Sequence, residues 1–223
     1  HVVVLDPVGV GASSFRKQTA EQLLKEVRFD AIRGNISEIK TLASLCGTQE
    51  KNSGNMAVSD TMDVEKITDK SDHCGKITGI DGSGRGVDAD NADTVTEENL
   101  AQHISNAKML SKKLQTIVAI TGAIDLVTDG SSCYVIRNGN PQMGHVTGAG
   151  CQLSGILTAF LAANPENKLQ AAAAAVCMMG YAGELAAEKS GQSGSGTYRV
   201  SLMDAVSCMD GDILERGARY EIR

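Results

Sequence analysis

The sequence reads Val146-Thr147-Gly148-Ala149-Gly150-Cys151-Gln152-Leu153-Ser154-Gly155 where a polar loop gives way to an apolar helical pattern. Glycines at the start of a helix let backbone N–H groups approach a ligand closely, and a helix N-terminus carries partial positive charge. The same field favours the thiolate form of a cysteine in the first turn. The stretch therefore suits a phosphate or a developing negative charge. It would equally suit a glycine-rich turn before a buried helix, with Cys151 as a small core residue.

On both sides of this stretch, strand-like and helix-like patterns alternate. Residues 129–132 read Asp-Gly-Ser-Ser between two apolar runs, which predicts a hairpin. Residues 191–196 are rich in Gly and Ser and predict a linker. Alternating strands and helices favour an α/β sandwich with a mainly parallel sheet. We expect helices over residues 15–27, about 39–45, 97–114, 152–163, 168–190 and 202–209, and strands over residues 1–6, 30–33, 116–121, 126–128 and 133–137.

The two least regular parts of the sequence are its beginning and its middle. The chain opens inside the apolar β-branched run 1–6, which is typical of a buried parallel strand, so we expect further N-terminal sequence to be missing. Residues 46–93 are polar and unperiodic, which predicts a long solvated insertion or flap. Its glycine-rich residues 82–86 lack the flanking strand and helix of a phosphate-binding loop. Cys46, His73 and Cys74 lack a regular metal-ligand spacing.

The overall composition narrows the class of partner. The 223 residues are 42% hydrophobic and 22% charged, which is ordinary for a globular protein with one sizeable core. A net charge of −6 argues against a nucleic-acid groove or an anionic membrane surface. The six cysteines show no repeated spacing, which favours free thiols in a reducing cytoplasm. The apolar run 171–181 is too short to span a bilayer. We therefore expect a cytoplasmic protein with no nucleic-acid and no membrane partner.

Polar side chains follow three of the predicted strands, at the edge where ligands bind in such folds. Asp6 closes the first strand, Arg33 and Glu38 come at and just after the end of the second, and Thr121 closes a third. A carboxylate pair such as Asp6 and Glu38 suits Mg²⁺, and a guanidinium suits phosphate. Taken singly, each residue has an ordinary structural interpretation. Asp6 could start a turn, Arg33 and Glu38 could form a surface ion pair, and Thr121 could cap a strand. Together with the glycine-rich turn they favour phosphoryl transfer, and the absence of GxxxxGK[ST] excludes a P-loop enzyme.

An ordered series of motifs runs through nearly the whole chain outside the polar segment and resembles the hydroxyethylthiazole kinase family of the ribokinase-like superfamily. The motifs are Leu5-Asp6-Pro7-Val8-Gly9-Val10-Gly11-Ala12, Ile32-Arg33-Gly34-Asn35 with Ser37-Glu38-Ile39, Thr121-Gly122 with Asp125 and Thr128-Asp129-Gly130, Val146-Thr147-Gly148-Ala149-Gly150-Cys151, and Gly194-Ser195-Gly196-Thr197-Tyr198.

This resemblance implies a function. The family phosphorylates the hydroxyl of 4-methyl-5-(2-hydroxyethyl)thiazole in thiamine biosynthesis and salvage, with ATP as co-substrate and Mg²⁺ as cofactor. Arg33 and Thr121 correspond to ATP-contacting positions, Asp6 and Glu38 to the acidic pair near the metal, and Gly148 to a substrate-contacting position. Cys151 lies where most ribokinase-like enzymes carry an aspartate base and this family carries cysteine. The candidate catalytic residues are thus Gly148, Gly150 and Cys151.

The resemblance also implies a three-layer sandwich, one kinase domain over residues 1–223, and a homotrimer with active sites between subunits. Two features depart from the family pattern. We expect N-terminal sequence that the family carries to be missing here, and the polar insertion between Leu45 and Gly84 is longer than the family usually shows. The alternatives are another ribokinase-like small-alcohol or hydroxymethylpyrimidine kinase, and a truncated ligand binder without catalysis. The cysteine at position 151 argues against the first of these, because those relatives generally carry aspartate there.

Overall fold

One mixed sheet forms the centre of the computed structural model, which describes residues 1–47 and 94–223. Within these ranges the sheet has six strands in the order β1-β2-β3-β4-β5-β6. The strands are β1 (Val4–Leu5), β2 (Ala31–Asn35), β3 (Ile117–Thr121), β4 (Asp125–Thr128), β5 (Cys133–Ile136) and β6 (Tyr220–Ile222).

Seven α-helices accompany the sheet in the described ranges. They are α1 (Ser14–Glu26), α2 (Ile36–Gly47), α3 (Leu100–Leu114), α4 (Ala149–Ala163), α5 (Lys168–Ser190), α6 (Ser195–Ser207) and α7 (Gly211–Gly217), and a 3-10 turn covers Pro141–His145.

Strand residues alternate between two cores, one on each face of the sheet. Ile117 and Ala119 contribute to the core under α4, α5 and α6, whereas Val118 and Ile120 contribute to the core under α1, α2 and α3. Since successive side chains of a strand point to opposite faces, a strand buried on both faces must be apolar throughout, as β3 is up to Thr121. The expected α/β sandwich with helices on both sides of the sheet is thereby confirmed.

The sheet is parallel on one side and antiparallel on the other. β1 pairs with β2 and β2 with β3 in parallel, while the β3–β4, β4–β5 and β5–β6 pairs of the described residues are antiparallel. The expectation of a mainly parallel sheet therefore holds only for β1 to β3. The reason is loop length, because the short connections 122–124 and 129–132 can join only antiparallel neighbours.

The C-terminal part differs from the sequence prediction. The predicted linker 191–196 ends at Gly194, and the predicted final helix 202–209 begins seven residues earlier than expected, because one helix, α6, covers Ser195–Ser207. It begins early because Tyr198 is buried and donates a hydrogen bond from its hydroxyl to the carbonyl oxygen of Gly183 on α5 at 2.9 Å. Helix α7 and strand β6 were not predicted, and β6 completes the sheet through its pairing with β5.

Two further sequence predictions concern the apolar run 171–181, which lies within helix α5, and the polar segment 46–93. Helix α5 is long and apolar enough to cross a membrane by length and composition, but 61% of its most apolar window is buried inside the fold. Its alanines and glycines pack against α4 and α6 in the core. Almost all of the polar segment 46–93, including the glycine-rich residues 82–86, His73 and Cys74, lies outside the described residues.

Candidate active site

The parallel half of the sheet places Asp6, Arg33 and Thr121 side by side. Leu5 pairs with Ile32, so Asp6 and Arg33 are the next residues along two neighbouring strands. Thr121 ends β3, the strand on the other side of β2. The carboxyl ends of parallel strands thus gather these predicted residues at one edge, which is where α/β folds bind ligands.

The Arg33 guanidinium lies at the centre of this edge. Its Nη2 donates to Thr121 Oγ1 at 2.8 Å, and its Nη1 lies 3.4 Å from Asp6 Oδ2. Only 14% of the Arg33 side chain is exposed, and its Nε–H is buried with no hydrogen-bond partner among the described residues. A buried guanidinium with an unused donor is suited to an anionic ligand, because guanidinium and phosphate match in charge and geometry.

Helix α4 brings its first turn against the same guanidinium. Gly148, the residue before the helix, has φ of +92°, a conformation that glycine adopts without strain. A Cβ on Gly150 would lie 2.7 Å from Arg33 Nη1 and 3.1 Å from Nη2. Position 150 therefore requires glycine, because any side chain there would push the Arg33 guanidinium away from the N-terminus of α4.

Cys151 is a free and exposed cysteine in the first turn of α4. The alternative interpretation of Cys151 as a small core residue is therefore wrong. Among the cysteines that the structure describes, Cys133 and Cys177 are buried, and burial raises the pKa of these groups to about 11 and about 12. Thiols with such pKa values stay protonated and inert, whereas Cys151 is exposed in the first turn of α4, where a substrate bound at this edge can reach it.

Glu38 forms a reciprocal capping box with Asn35 at the start of α2. Asn35 Oδ1 accepts from the Glu38 backbone N–H at 2.8 Å, and Glu38 Oε2 accepts from the Asn35 N–H at 2.8 Å. Glu38 Oε1 accepts from the backbone N–H of Gly9 at 2.9 Å. Glu38 is buried, so its carboxylate holds the glycine-rich loop after β1 against the beginning of α2.

Sequence reasoning gave no role to two residues of this edge. Ser154 donates from Oγ to Asp6 Oδ2 at 2.6 Å, which links α4 to the end of β1. Asp125 accepts from the Gly122 N–H at 2.8 Å and shapes the turn after Thr121. Burial raises the pKa of Asp125 to about 7, against the opposing effects of that hydrogen bond and of Arg33. The sequence signal for Ser154 is its place one helical turn after Gly150, which puts both residues on the same side of α4.

The predicted metal residues, Asp6 and Glu38, do not form a complete set of metal ligands by themselves. The described residues contain no group of three or more His, Cys, Asp or Glu side chains that could hold a metal ion. Asp6 Oδ1 is nevertheless buried without a hydrogen-bond partner among them. A free carboxylate oxygen fits Mg²⁺ that keeps most of its waters and also binds substrate phosphates.

The edge therefore combines a guanidinium, the N-terminus of a helix, one available carboxylate oxygen and an accessible thiol. The first two stabilise negative charge, and the third can bind a cation. This set is suited to phosphoryl transfer, in which positioning and charge neutralisation supply most of the catalysis.

Comparisons with known proteins agree with this chemistry. The model of the hydroxyethylthiazole kinase family matches residues 1–79 and 48–212. A hydroxyethylthiazole kinase of Clostridium acetobutylicum is 44% identical over 99% of this chain and 68% of its own length. One from Desulfovibrio desulfuricans is 36% identical over 99% of this chain and 67% of its own length.

A solved structure extends the comparison to the fold. The hydroxyethylthiazole kinase protein of Pyrococcus horikoshii superposes with a TM-score of 0.70 at 24% identity, over 100% of this chain and 65% of the other. The chain thus spans about two thirds of the length of each of these three proteins.

Proposed function

The chain belongs to the hydroxyethylthiazole kinase family, and we propose that it transfers the terminal phosphoryl group of ATP to the hydroxyl of 4-methyl-5-(2-hydroxyethyl)thiazole. The family consists of phosphotransferases of thiamine biosynthesis and salvage. The observation that carries the proposal is the position of Arg33, between the Thr121 hydroxyl and the backbone of Gly150. A cation in that position faces both the strand ends and the helix N-terminus, where a phosphate would be stabilised from two sides.

Arg33 and Thr121 are the residues we assign to ATP. The Thr121 hydroxyl fixes Nη2, so the guanidinium is oriented before the nucleotide arrives. The unpartnered Nε–H and the second donors of Nη1 and Nη2 remain for phosphate oxygens. Preorganisation of this kind lowers the barrier because no side chain must reorganise as charge develops on the transferred group.

Asp6 is the residue we assign first to Mg²⁺, with Glu38 as its partner in the acidic pair. When bound, Mg²⁺ neutralises part of the phosphate charge. Asp6 offers its free Oδ1, whereas both Glu38 oxygens already accept backbone N–H groups. Glu38 can therefore act through a remaining lone pair or a water, while it keeps the Gly9 loop in place.

Gly148, Gly150 and Cys151 are the residues we assign to the reacting groups. Gly148 immediately precedes α4. We assign its backbone to the thiazole substrate and the first turn of α4 to the transferred phosphoryl group, because a helix N-terminus stabilises negative charge. Cys151 is exposed, and in its thiolate form it can accept the substrate's hydroxyl proton and become a neutral thiol. A weak base suffices because a loose transition state needs little proton transfer early in the reaction.

Three further assignments rest on the family relationship. We propose that residues 1–223 form one ribokinase-like kinase domain, with the polar segment 46–93 as an insertion. We also propose a homotrimer and a cytoplasmic location. Analytical ultracentrifugation of the purified chain tests the trimer directly.

The decisive experiment measures ADP release from ATP and Mg²⁺ with hydroxyethylthiazole or, separately, hydroxymethylpyrimidine as acceptor. Release that depends on the thiazole supports the proposed reaction, and release with the pyrimidine alone favours another ribokinase-like kinase. If neither acceptor gives ADP, the assay is repeated with the chain extended at its N-terminus. Activity gained on extension shows that residues 1–223 alone do not suffice for catalysis, and continued inactivity refutes the proposed reaction.

A further inference from the structure

Ser154 connects the first turns of α4 to the carboxylate at the end of β1. Its Oγ lies 2.6 Å from Asp6 Oδ2, although the two residues are 148 positions apart in the sequence. A distance of 2.5–2.7 Å is typical of a hydroxyl that donates to a charged carboxylate. Ser154 Oγ also lies 3.2 Å from the Gly150 carbonyl oxygen on its own helix. The hydroxyl has one hydrogen, and the closer, charged acceptor is the one that takes it.

This hydrogen bond makes the two oxygens of Asp6 unequal. Oδ2 accepts from Ser154 and lies 3.4 Å from Arg33 Nη1. Oδ1 is buried and has no hydrogen-bond partner in the described part of the chain. A buried carboxylate oxygen without a donor is costly unless a cation or a ligand compensates it. Ser154, held on a packed helix, thus opposes a rotation of the carboxylate that would exchange its two oxygens.

We propose that Ser154 is a positioning residue that presents Asp6 Oδ1 to the Mg²⁺–nucleotide complex. The inference rests on the proposed function, because it assigns Asp6 to the metal. Ser154 acts only through Asp6 and contacts neither the nucleotide nor the reacting hydroxyl. The same hydrogen bond links α4 to the end of β1, the strand that Asp6 follows.

A purely structural role predicts a different outcome. If Ser154 only satisfied a buried carboxylate, its removal would lower the melting temperature without a specific effect on metal-dependent binding. Thr158 provides a matched control, one turn further along α4. Its Oγ1 donates to the Ser154 carbonyl oxygen at 2.7 Å, so Thr158→Val removes a hydroxyl from the same helix without removing a bond to Asp6.

The test is calorimetric titration with ADP, in Mg²⁺ and separately in EDTA, of the wild type, Ser154→Ala, Ser154→Thr and Thr158→Val. Loss of a charge-assisted hydrogen bond predicts that Ser154→Ala weakens ADP binding in Mg²⁺ by about tenfold or more. The affinity of Ser154→Ala for ADP in EDTA should stay within about twofold of the wild-type affinity, because without Mg²⁺ the orientation of Asp6 no longer affects nucleotide binding. Ser154→Thr keeps the hydroxyl and should restore binding, and Thr158→Val should bind as the wild type does.

A double-mutant cycle with Asp6→Asn completes the experiment. Because Ser154 acts through Asp6, adding Ser154→Ala to Asp6→Asn should weaken binding no further. Additive effects, an equal loss in EDTA, or unchanged binding by Ser154→Ala would each overturn the inference while leaving the proposed function standing. A wild-type chain that binds ADP no better in Mg²⁺ than in EDTA would overturn the metal assignment and the inference together.

Discussion

Replacing Gly150 by alanine tests how the arginine is accommodated at the proposed phosphate site. The added Cβ would lie 2.7 Å from Arg33 Nη1, 3.1 Å from Nη2 and 3.3 Å from Cζ. Ordinary contacts of this kind begin near 3.4 Å, so the guanidinium must withdraw by about 0.7 Å. It has little freedom to do so, because it is held by Thr121 and lies beside Asp6 in a largely buried position.

The expected magnitude depends on the bonds that this displacement disturbs. Hydrogen bonds between a guanidinium and an anion contribute about 1.5–3 kcal/mol each, so one misplaced bond lowers kcat/KM for ATP by about 10- to 100-fold. A misplacement of this size at a reacting centre has effects of that order. Folding should survive, because alanine is the better helix former and favours the helical state by up to about 1 kcal/mol.

The assay compares Gly150→Ala with Gly155→Ala in ADP release and in urea unfolding. Gly155 lies on the same helix and is exposed, and a Cβ there would meet nothing within 4 Å. Gly155→Ala should therefore keep the wild-type kcat/KM and the wild-type stability or better. If Gly150→Ala retains the wild-type kcat/KM for ATP, Arg33 does not need its observed position, and the assignment of Arg33 to the phosphates is refuted.

Three further variants probe separate parts of the site. Cys151→Ala should slow turnover less than Gly150→Ala does, since a weak base contributes less than charge neutralisation, and a larger loss of kcat would contradict this order of effects. Glu38→Gln should lower the free energy of unfolding by about 1–2 kcal/mol, because the single amide oxygen cannot accept from the N–H groups of both Gly9 and Asn35. It should also raise the Mg²⁺ concentration that gives half the maximal rate. An unchanged Mg²⁺ titration would remove Glu38 from the metal site and leave its capping role. Asp125→Asn should gain stability relative to the wild type as the pH rises from 5 to 7. In the folded wild type, Asp125 has a pKa of about 7 and keeps a proton that the unfolded chain has already lost, so the wild type becomes less stable as the pH rises, and the asparagine variant does not. Over those two pH units the relative gain is about 2 kcal/mol, and parallel stability curves from pH 5 to pH 8 would show that Asp125 does not titrate there.

Local patterns were enough to predict most of the regular structure. The helix predicted over residues 168–190 has the bounds of α5, and the hairpin around residues 129–132 joins β4 to β5 as expected. Both signals are contained within a short window, in a run of strong helix formers and in a turn sequence. Strand β6 carries no such signal, because its three residues are mostly exposed and gain their structure from pairing with β5.

The candidate site was predictable as a set of residues, but its geometry was not. The ends of the predicted strands already predict that Asp6, Arg33, Thr121 and the turn at Gly148 belong to one edge. Their contacts depend on strand register and on where α4 docks, which are long-range properties. The structure adds that Gly150 accommodates the Arg33 guanidinium and that Glu38 caps α2.

The sequence by itself determined the class of fold, the strand ends that carry polar groups and the family to which those groups belong, because each depends on residue type and spacing along the chain. Only the tertiary structure decided that Ser154 bonds to Asp6 and that Cys151 is exposed while Cys133 and Cys177 are buried. These outcomes join residues that are distant in the sequence. They depend on how helices pack against the sheet, a property that no short stretch of sequence contains.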